Sequence, residues 1–168
     1  MKFGFFGAAA IAAAMFFTGC TDPCKDVNCN NGTCLEGDCV CDAGYQGLAC
    51  DVKHNAKFVG VYTFVETCDS TVPATYNLTV AASSASPSNI NITNLYEEPA
   101  TSVTGVIKAD GVSFTIARQS IGASSYGTVE TTQDATSDAE GQSINLKYKY
   151  IETSTGWVNG CSGTMTKQ

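Results

Sequence analysis

Six cysteines crowd into the stretch "CKDVNCNNGTCLEGDCVCDAGYQGLAC", and this run limits the possible fold more than any other feature of the chain. Cys24, Cys29, Cys34, Cys39, Cys41 and Cys50 are separated by four, four, four, one and eight residues. Val27, Leu35, Val40, Tyr45 and Leu48 are almost its only apolar side chains, too few to offset the chain entropy lost on folding. Covalent staples must supply the difference, each disulfide contributing ~2 to 4 kcal/mol by restricting the unfolded chain. Cysteines at this density point to an oxidising compartment, and spacing alone leaves every pairing scheme open.

The 168-residue chain has nine cysteines, an odd number, so at least one has another task. Upstream, "MKFGFFGAAAIAAAMFFTGC" carries one positive residue, Lys2, and then an uncharged apolar run from Phe3 to Phe17. The run is shorter than the ~20 residues of a membrane-spanning helix and suits the apolar part of an export signal. Its end, Phe17-Thr18-Gly19-Cys20, resembles the lipobox of bacterial lipoproteins, with Phe17 where Leu is commonest. The resemblance implies a signal peptide over residues 1–19, lipid on Cys20 and a lipidated N-terminus over residues 20–23. Setting Cys20 aside leaves eight cysteines, which can all pair. Acyl chains worth ~0.8 kcal/mol per buried methylene would make the membrane a permanent partner. Thr21, rather than Asp, follows the cysteine, which favours the outer membrane, facing the periplasm or the cell surface.

Residues 24–50 resemble an EGF-like module. The resemblance rests on the C-x-C at Cys39 and Cys41, on Asn30-Asn31-Gly32 before Cys34, and on Gly44-Tyr45-Gln46-Gly47-Leu48-Ala49-Cys50. It implies disulfides between Cys24 and Cys34, Cys29 and Cys39, and Cys41 and Cys50. Gly32 and Gly47 are expected at sharp turns, where glycine adopts positive φ freely. The short "LEGD" gap and Pro23 before Cys24 depart from the calcium-binding subclass, so no metal is expected.

After a polar linker over residues 51–57, the composition turns to alternating β sequence. Candidate strands are Phe58 to Glu66, Tyr76 to Ala82, Asn89 to Glu97, Ser102 to Ala109, Val112 to Ala117, Tyr126 to Thr132, Ser143 to Glu152 and Gly156 to Thr166. In the seventh, Ile144, Leu146, Tyr148 and Tyr150 share one face, opposite Asn145, Lys147 and Lys149. Between strands lie turn-forming stretches, "ADG" at residues 109–111 being a tight-hairpin signal. About eight antiparallel strands with one apolar face each imply an all-β domain over residues 58–168, and a closed barrel leaves no exposed edges. Closure would set the first strand beside the last, so that a Cys68–Cys161 bridge ties the seam. This half resembles the lipocalin-like or calycin-like barrels of Bacteroidetes-type lipoproteins in Gly60-Val61-Tyr62-Thr63-Phe64, in Cys68 soon after, and in a last strand from Cys161 to Gln168. Lipocalins have Trp where Tyr62 stands. An eight-stranded interior can be filled by side chains or hold one small ligand.

Residues that carry chemistry are sparse. The net charge of -7 excludes nucleic acid as a natural partner. His54 is the sole histidine and is expected as a solvated linker residue; Arg118 is the sole arginine and is expected as a strand-end surface charge. Glu97 and Glu98, adjacent on a strand, would point to opposite faces. Trp157, Tyr62, Tyr96, Tyr126, Tyr148 and Tyr150 are candidates for the core or for a contact surface. Asp69-Ser70-Thr71 matches a short O-glycan acceptor pattern at Ser70. No nucleophile elbow, metal cluster or phosphate loop occurs, so neither catalysis nor a cofactor is expected. The sequence reads as a membrane-anchored, non-enzymatic binding or structural protein whose partner is a protein, a glycan or a small apolar ligand. A lipocalin-like carrier of such an apolar ligand is the alternative.

Overall fold

The structure, a computed structural model, describes residues 22–122 and 127–168, so Cys20, the leader and Tyr126 lie outside the described residues. The N-terminal part is built on two small antiparallel sheets. β1 (Gly32–Leu35) pairs with β2 (Asp38–Cys41), and β3 (Tyr45–Gln46) with β4 (Val52–Lys53). Disulfides join Cys24 to Cys34, Cys29 to Cys39 and Cys41 to Cys50. Gly47 has φ +92°, but Gly32 sits inside β1 without a positive φ. Its requirement is space: a Cβ there would come within 2.4 Å of the Val40 carbonyl oxygen and 3.0 Å of the Cys50 sulfur.

A barrel follows, built from β5 (Gly60–Cys68), β6 (Ala74–Ala82), β7 (Asn89–Thr93), β8 (Ser102–Ile107), β9 (Ser113–Thr115), β10 (Gln119–Ile121), β11 (Gly127–Thr131), β12 (Ala135–Ser137), β13 (Ser143–Glu152) and β14 (Val158–Lys167). The hydrogen-bonded ring runs β13-β12-β9-β8-β7-β6-β5-β14 and closes from β14 to β13, eight strands in all. The fifth and sixth expected strands are each followed by a second strand segment beyond the expected bounds. β10 continues β9 and β11 leads into β12, so residues that read as turns, Gln119–Ile121 and Ala135–Ser137, are strand. At the break, Ile116 N donates to Thr131 Oγ1 at 3.1 Å, displacing the regular ladder. The Gln119 amide replaces backbone pairing to β8, donating to Thr104 O and accepting from Thr104 N, both at 2.8 Å.

Alternation fills the interior. Tyr62, Phe64, Glu66 and Cys68 are buried on β5 while Val61, Val65 and Thr67 face out. Phe64, Leu78, Ile92, Phe114 and Leu146 have no exposed surface and belong to one continuous buried cluster. Fully burying each such side chain is worth ~1.5 to 3 kcal/mol. Cys161 is the register partner of Cys68, and the two are disulfide-bonded across the β5–β14 ladder, where the first barrel strand meets the last.

One end of the barrel carries the N-terminal module. The expected linker is not a solvated tether: His54–Phe58 forms a 3-10 turn with His54, Asn55 and Phe58 buried. His54 is only 6% exposed because Phe58 plugs the barrel end, edge-on to Phe114, and draws the preceding residues in with it. The His54 amide donates to Gly44 O at 2.8 Å and the Asn55 amide to Pro87 O at 3.0 Å, joining module, turn and barrel. The Tyr62 hydroxyl lies 2.9 Å from Phe58 O and 2.8 Å from Gly141 O, beneath the plug. Burial first, then the Asp138 charge, pushes that hydroxyl up to about 12.

Candidate functional site at the barrel mouth

Strand direction decides which loops meet at each end. The loops after β6, β8, β12 and the turn before β5 gather where the module docks. The loops after β5, β7 and β13 gather at the opposite end, the mouth. Glu66 lies one turn of the alternation below this mouth, opposite Ala74 on β6 and Gly163 on β14.

Glu66 is 5% exposed, and no ion pair reaches it among the described residues. Two phenols serve it instead. The Tyr76 hydroxyl donates to Oε2 at 3.0 Å and the Tyr148 hydroxyl to Oε1. Tyr76 in turn accepts from the Tyr96 backbone N–H at 3.1 Å. Burial raises the Glu66 pKa; the tyrosine bonds oppose the shift and the nearby Glu97 charge adds to it. Burial also raises both phenols, with Glu66 adding to the effect at Tyr76, and Tyr76 and then Glu66 adding to it at Tyr148. All three groups are thus shifted toward their neutral forms. The Cys68–Cys161 sulfurs lie close to this carboxyl, but joined in a disulfide they are not thiolate ligands.

Over the carboxyl sits a short 3-10 turn, Leu95–Glu97. It ends β7 at Thr93, four residues before the expected strand end, so Glu97 and Glu98 are not strand neighbours on opposite faces. Asn94, Tyr96 and Glu97 have φ of 73°, 58° and 55°, left-handed values that side chains other than glycine seldom adopt. Fixed contacts hold them. Asn94 Nδ2 donates to Asn77 O at 2.8 Å, and the Tyr96 hydroxyl accepts from Asn159 Nδ2 at 3.2 Å. The Tyr96 ring stacks on Tyr150 at 4.4 Å and 8°, and Trp157 meets Tyr150 edge-on at 6.4 Å. Tyr150 lies over Gly127, where a Cβ would fall 2.2 Å from the ring.

Between these groups opens a cleft of about 220 Å³, lined by Glu66, Thr71, Val72, Ala74, Tyr96 and Glu97. A second cleft of about 260 Å³ lies at the module junction, lined in part by Asp42, Tyr45, His54, Ser88 and Lys108. The other residues singled out from sequence do not converge on either. Arg118 is exposed and bonds Glu130 through Nη2 at 3.0 Å and Nε at 3.2 Å. Ser70 is exposed beside the mouth, its amide donating to Asn159 Oδ1 at 3.0 Å. Glu66 was not singled out, although its position in the inward series Tyr62, Phe64, Glu66, Cys68 is the signal that marks it.

No family model matches the chain, and no curated protein matches it. Solved structures similar to it include one titled EF1p2_mFAP2b bound to DFHBI, 12% identical, with a TM-score of 0.49 over 68% of this chain and 98% of that chain. Another is a redesigned beta barrel, mFAP1, bound to DFHBI, 15% identical, with a TM-score of 0.47 over 68% of this chain and 98% of that chain. The closed barrel described above rests on the strand pairing of this chain itself.

Proposed function

We propose that the chain is a lipid-anchored outer-membrane protein in which an EGF-like module forms a rigid foot for a lipocalin-like barrel, and that the barrel mouth is a non-enzymatic binding surface. One observation carries this reading: the module, which follows Cys20 closely in sequence, packs against one barrel end, while the cleft and aromatic shelf occupy the other. An anchor at Cys20 would therefore hold the mouth away from the membrane. The filled interior favours a surface site over a carrier of an apolar ligand, since Phe64, Leu78 and Leu146 take the space such a ligand needs. A binding rather than catalytic role accords with Glu66, whose oxygens are engaged by phenols and not by a nucleophile or base.

The test is fractionation and proteinase accessibility on intact cells that carry the wild-type chain or Cys20→Ser. The reading expects the wild type in the membrane fraction and the variant released as soluble protein. Unchanged membrane association of the variant overturns it.

A further inference from the structure

We propose that the mouth cleft binds an organic ammonium group, which enters over the buried Glu66 carboxyl. The inference rests on the mouth being the binding end but not on the lipid anchor.

Glu66 carries the argument because it is a buried acid with no counter-ion among the described residues. Burying an ionisable carboxyl is costly unless a cation pairs with it, and a structural acid in a barrel wall would ordinarily have an Arg or Lys partner. Here the described residues provide only two phenols, and each carboxyl oxygen retains acceptor capacity beyond the one bond it receives. Glu66 is also among the residues that line an open cleft of about 220 Å³, far above the ~15 Å³ that one water requires. An unpaired, perturbed acid lining a cleft marks a binding-site candidate on physical grounds.

The rest of the lining selects the kind of cation. Glu97 adds a second acid at the rim, Thr71 adds a hydroxyl, and neither Lys nor Arg lines the cleft. Tyr96 forms an aromatic wall, and Val72 and Ala74 give apolar contact for a carbon chain. A hard metal ion favours several carboxylate and carbonyl oxygens converging on one point, whereas only Glu66 and Glu97 bring carboxylates to this lining. An ammonium on an aliphatic stem matches these parts: carboxyls for the charge, an aromatic side chain that favours cations, and apolar side chains for the stem.

Every group that packs against Glu66 bears on its proton. Burial and Glu97 hold the proton on; Tyr76 from β6 and Tyr148 from β13 favour its loss; the Cys68–Cys161 disulfide is neutral. A bound cation adds the missing opposite charge, so Glu66 ionises and its proton leaves to solvent. Cation uptake and proton release are then one equilibrium.

The experiment is calorimetric titration of the detergent-solubilised full chain at a series of pH values rising from the ~4.3 of an ordinary glutamate to neutrality. Probes are n-butylammonium, an end-capped Gly-Lys-Gly peptide, 1-butanol and calcium chloride. Saturable binding of the ammonium probes is expected, about tenfold or more tighter than 1-butanol, with heats that change with the ionisation enthalpy of the buffer. A preference for butylammonium assigns a free amine, and a preference for the peptide assigns a lysine side chain. Glu66→Gln should abolish the buffer dependence. Glu97→Gln, at an exposed rim position, should weaken binding several-fold while leaving the fold intact. Equal binding of 1-butanol, displacement of butylammonium by calcium, or heats independent of buffer overturns the proposal. None of these outcomes depends on whether Cys20→Ser is released from the membrane.

Discussion

The Tyr148 hydroxyl on β13 donates to Glu66 Oε1 on β5, so two strands separated in the ring by β14 are tied through the barrel interior. This bond satisfies a carboxyl that no cation among the described residues reaches. Tyr148→Phe removes the donor and leaves that oxygen buried without it, at a cost of ~1 to 3 kcal/mol in chemical denaturation. The double variant with Glu66→Leu should lose less than the sum of the single losses, because removing both partners leaves no orphaned group.

The pH dependence of stability follows from the same carboxyl. Its folded pKa is raised, so the native state holds a proton that the unfolded chain releases at lower pH. The contribution is fully present below the ordinary glutamate range and is lost as pH rises through the raised value. Wild type should therefore lose stability over that interval relative to Glu66→Gln. Parallel pH profiles for the two proteins would exclude this account.

Breaking the closure bridge should be expensive. Cys68 and Cys161 lie 93 residues apart in sequence, so their bond restricts almost the whole barrel in the unfolded state. Replacing both by Ala should cost ~4 kcal/mol in equilibrium unfolding, with the β5–β14 ladder still formed.

Glu130 offers a contrast on the outer wall. Hydrogen bonds from Arg118 and Lys149 hold its carboxyl down at about 2. Its stabilising effect is present above the ordinary carboxylate range and fades as pH falls toward that value. Solvent screening limits the effect: Glu130→Gln should cost only ~0.5 kcal/mol at low salt and nothing measurable at high salt.

Gly44 fixes the docking of the module. It has φ +89°, and a Cβ would lie 2.5 Å from Ser88 Oγ and 2.8 Å from Pro87 Cγ. Gly44→Ala should destabilise the junction by more than ~1 kcal/mol. Faster hydrogen exchange at the His54 amide, whose acceptor is Gly44 O, is the direct readout.

Much of the barrel was legible because alternation is local. On β5 and β13 the inward residues can be picked out by counting in twos: Tyr62, Phe64, Cys68, Ile144, Leu146 and Tyr148 belong to the core cluster, Tyr150 packs against it, and Glu66 is the buried polar exception. The strand breaks after Thr115 and Thr131 were not legible, since they depend on Thr131 and Gln119 bonding to neighbouring strands. Polarity misled at residues 51–57: His54 and Asn55 look solvated but are drawn under the module by the Phe58 plug. Glu97 looked like one of two opposed strand carboxylates until the left-handed residues turned β7 into a loop.

By itself, the sequence determined that the chain is all-β, with a cysteine-stapled module ahead of alternating strands, because strand periodicity and cysteine spacing are properties of neighbouring residues. Only the tertiary structure decided which barrel end the module covers and which residues meet at the other. Glu66, Tyr76 and Tyr148 come from three separate strands, and it is the register and closure of the ring that brings one acid and two phenols together away from water.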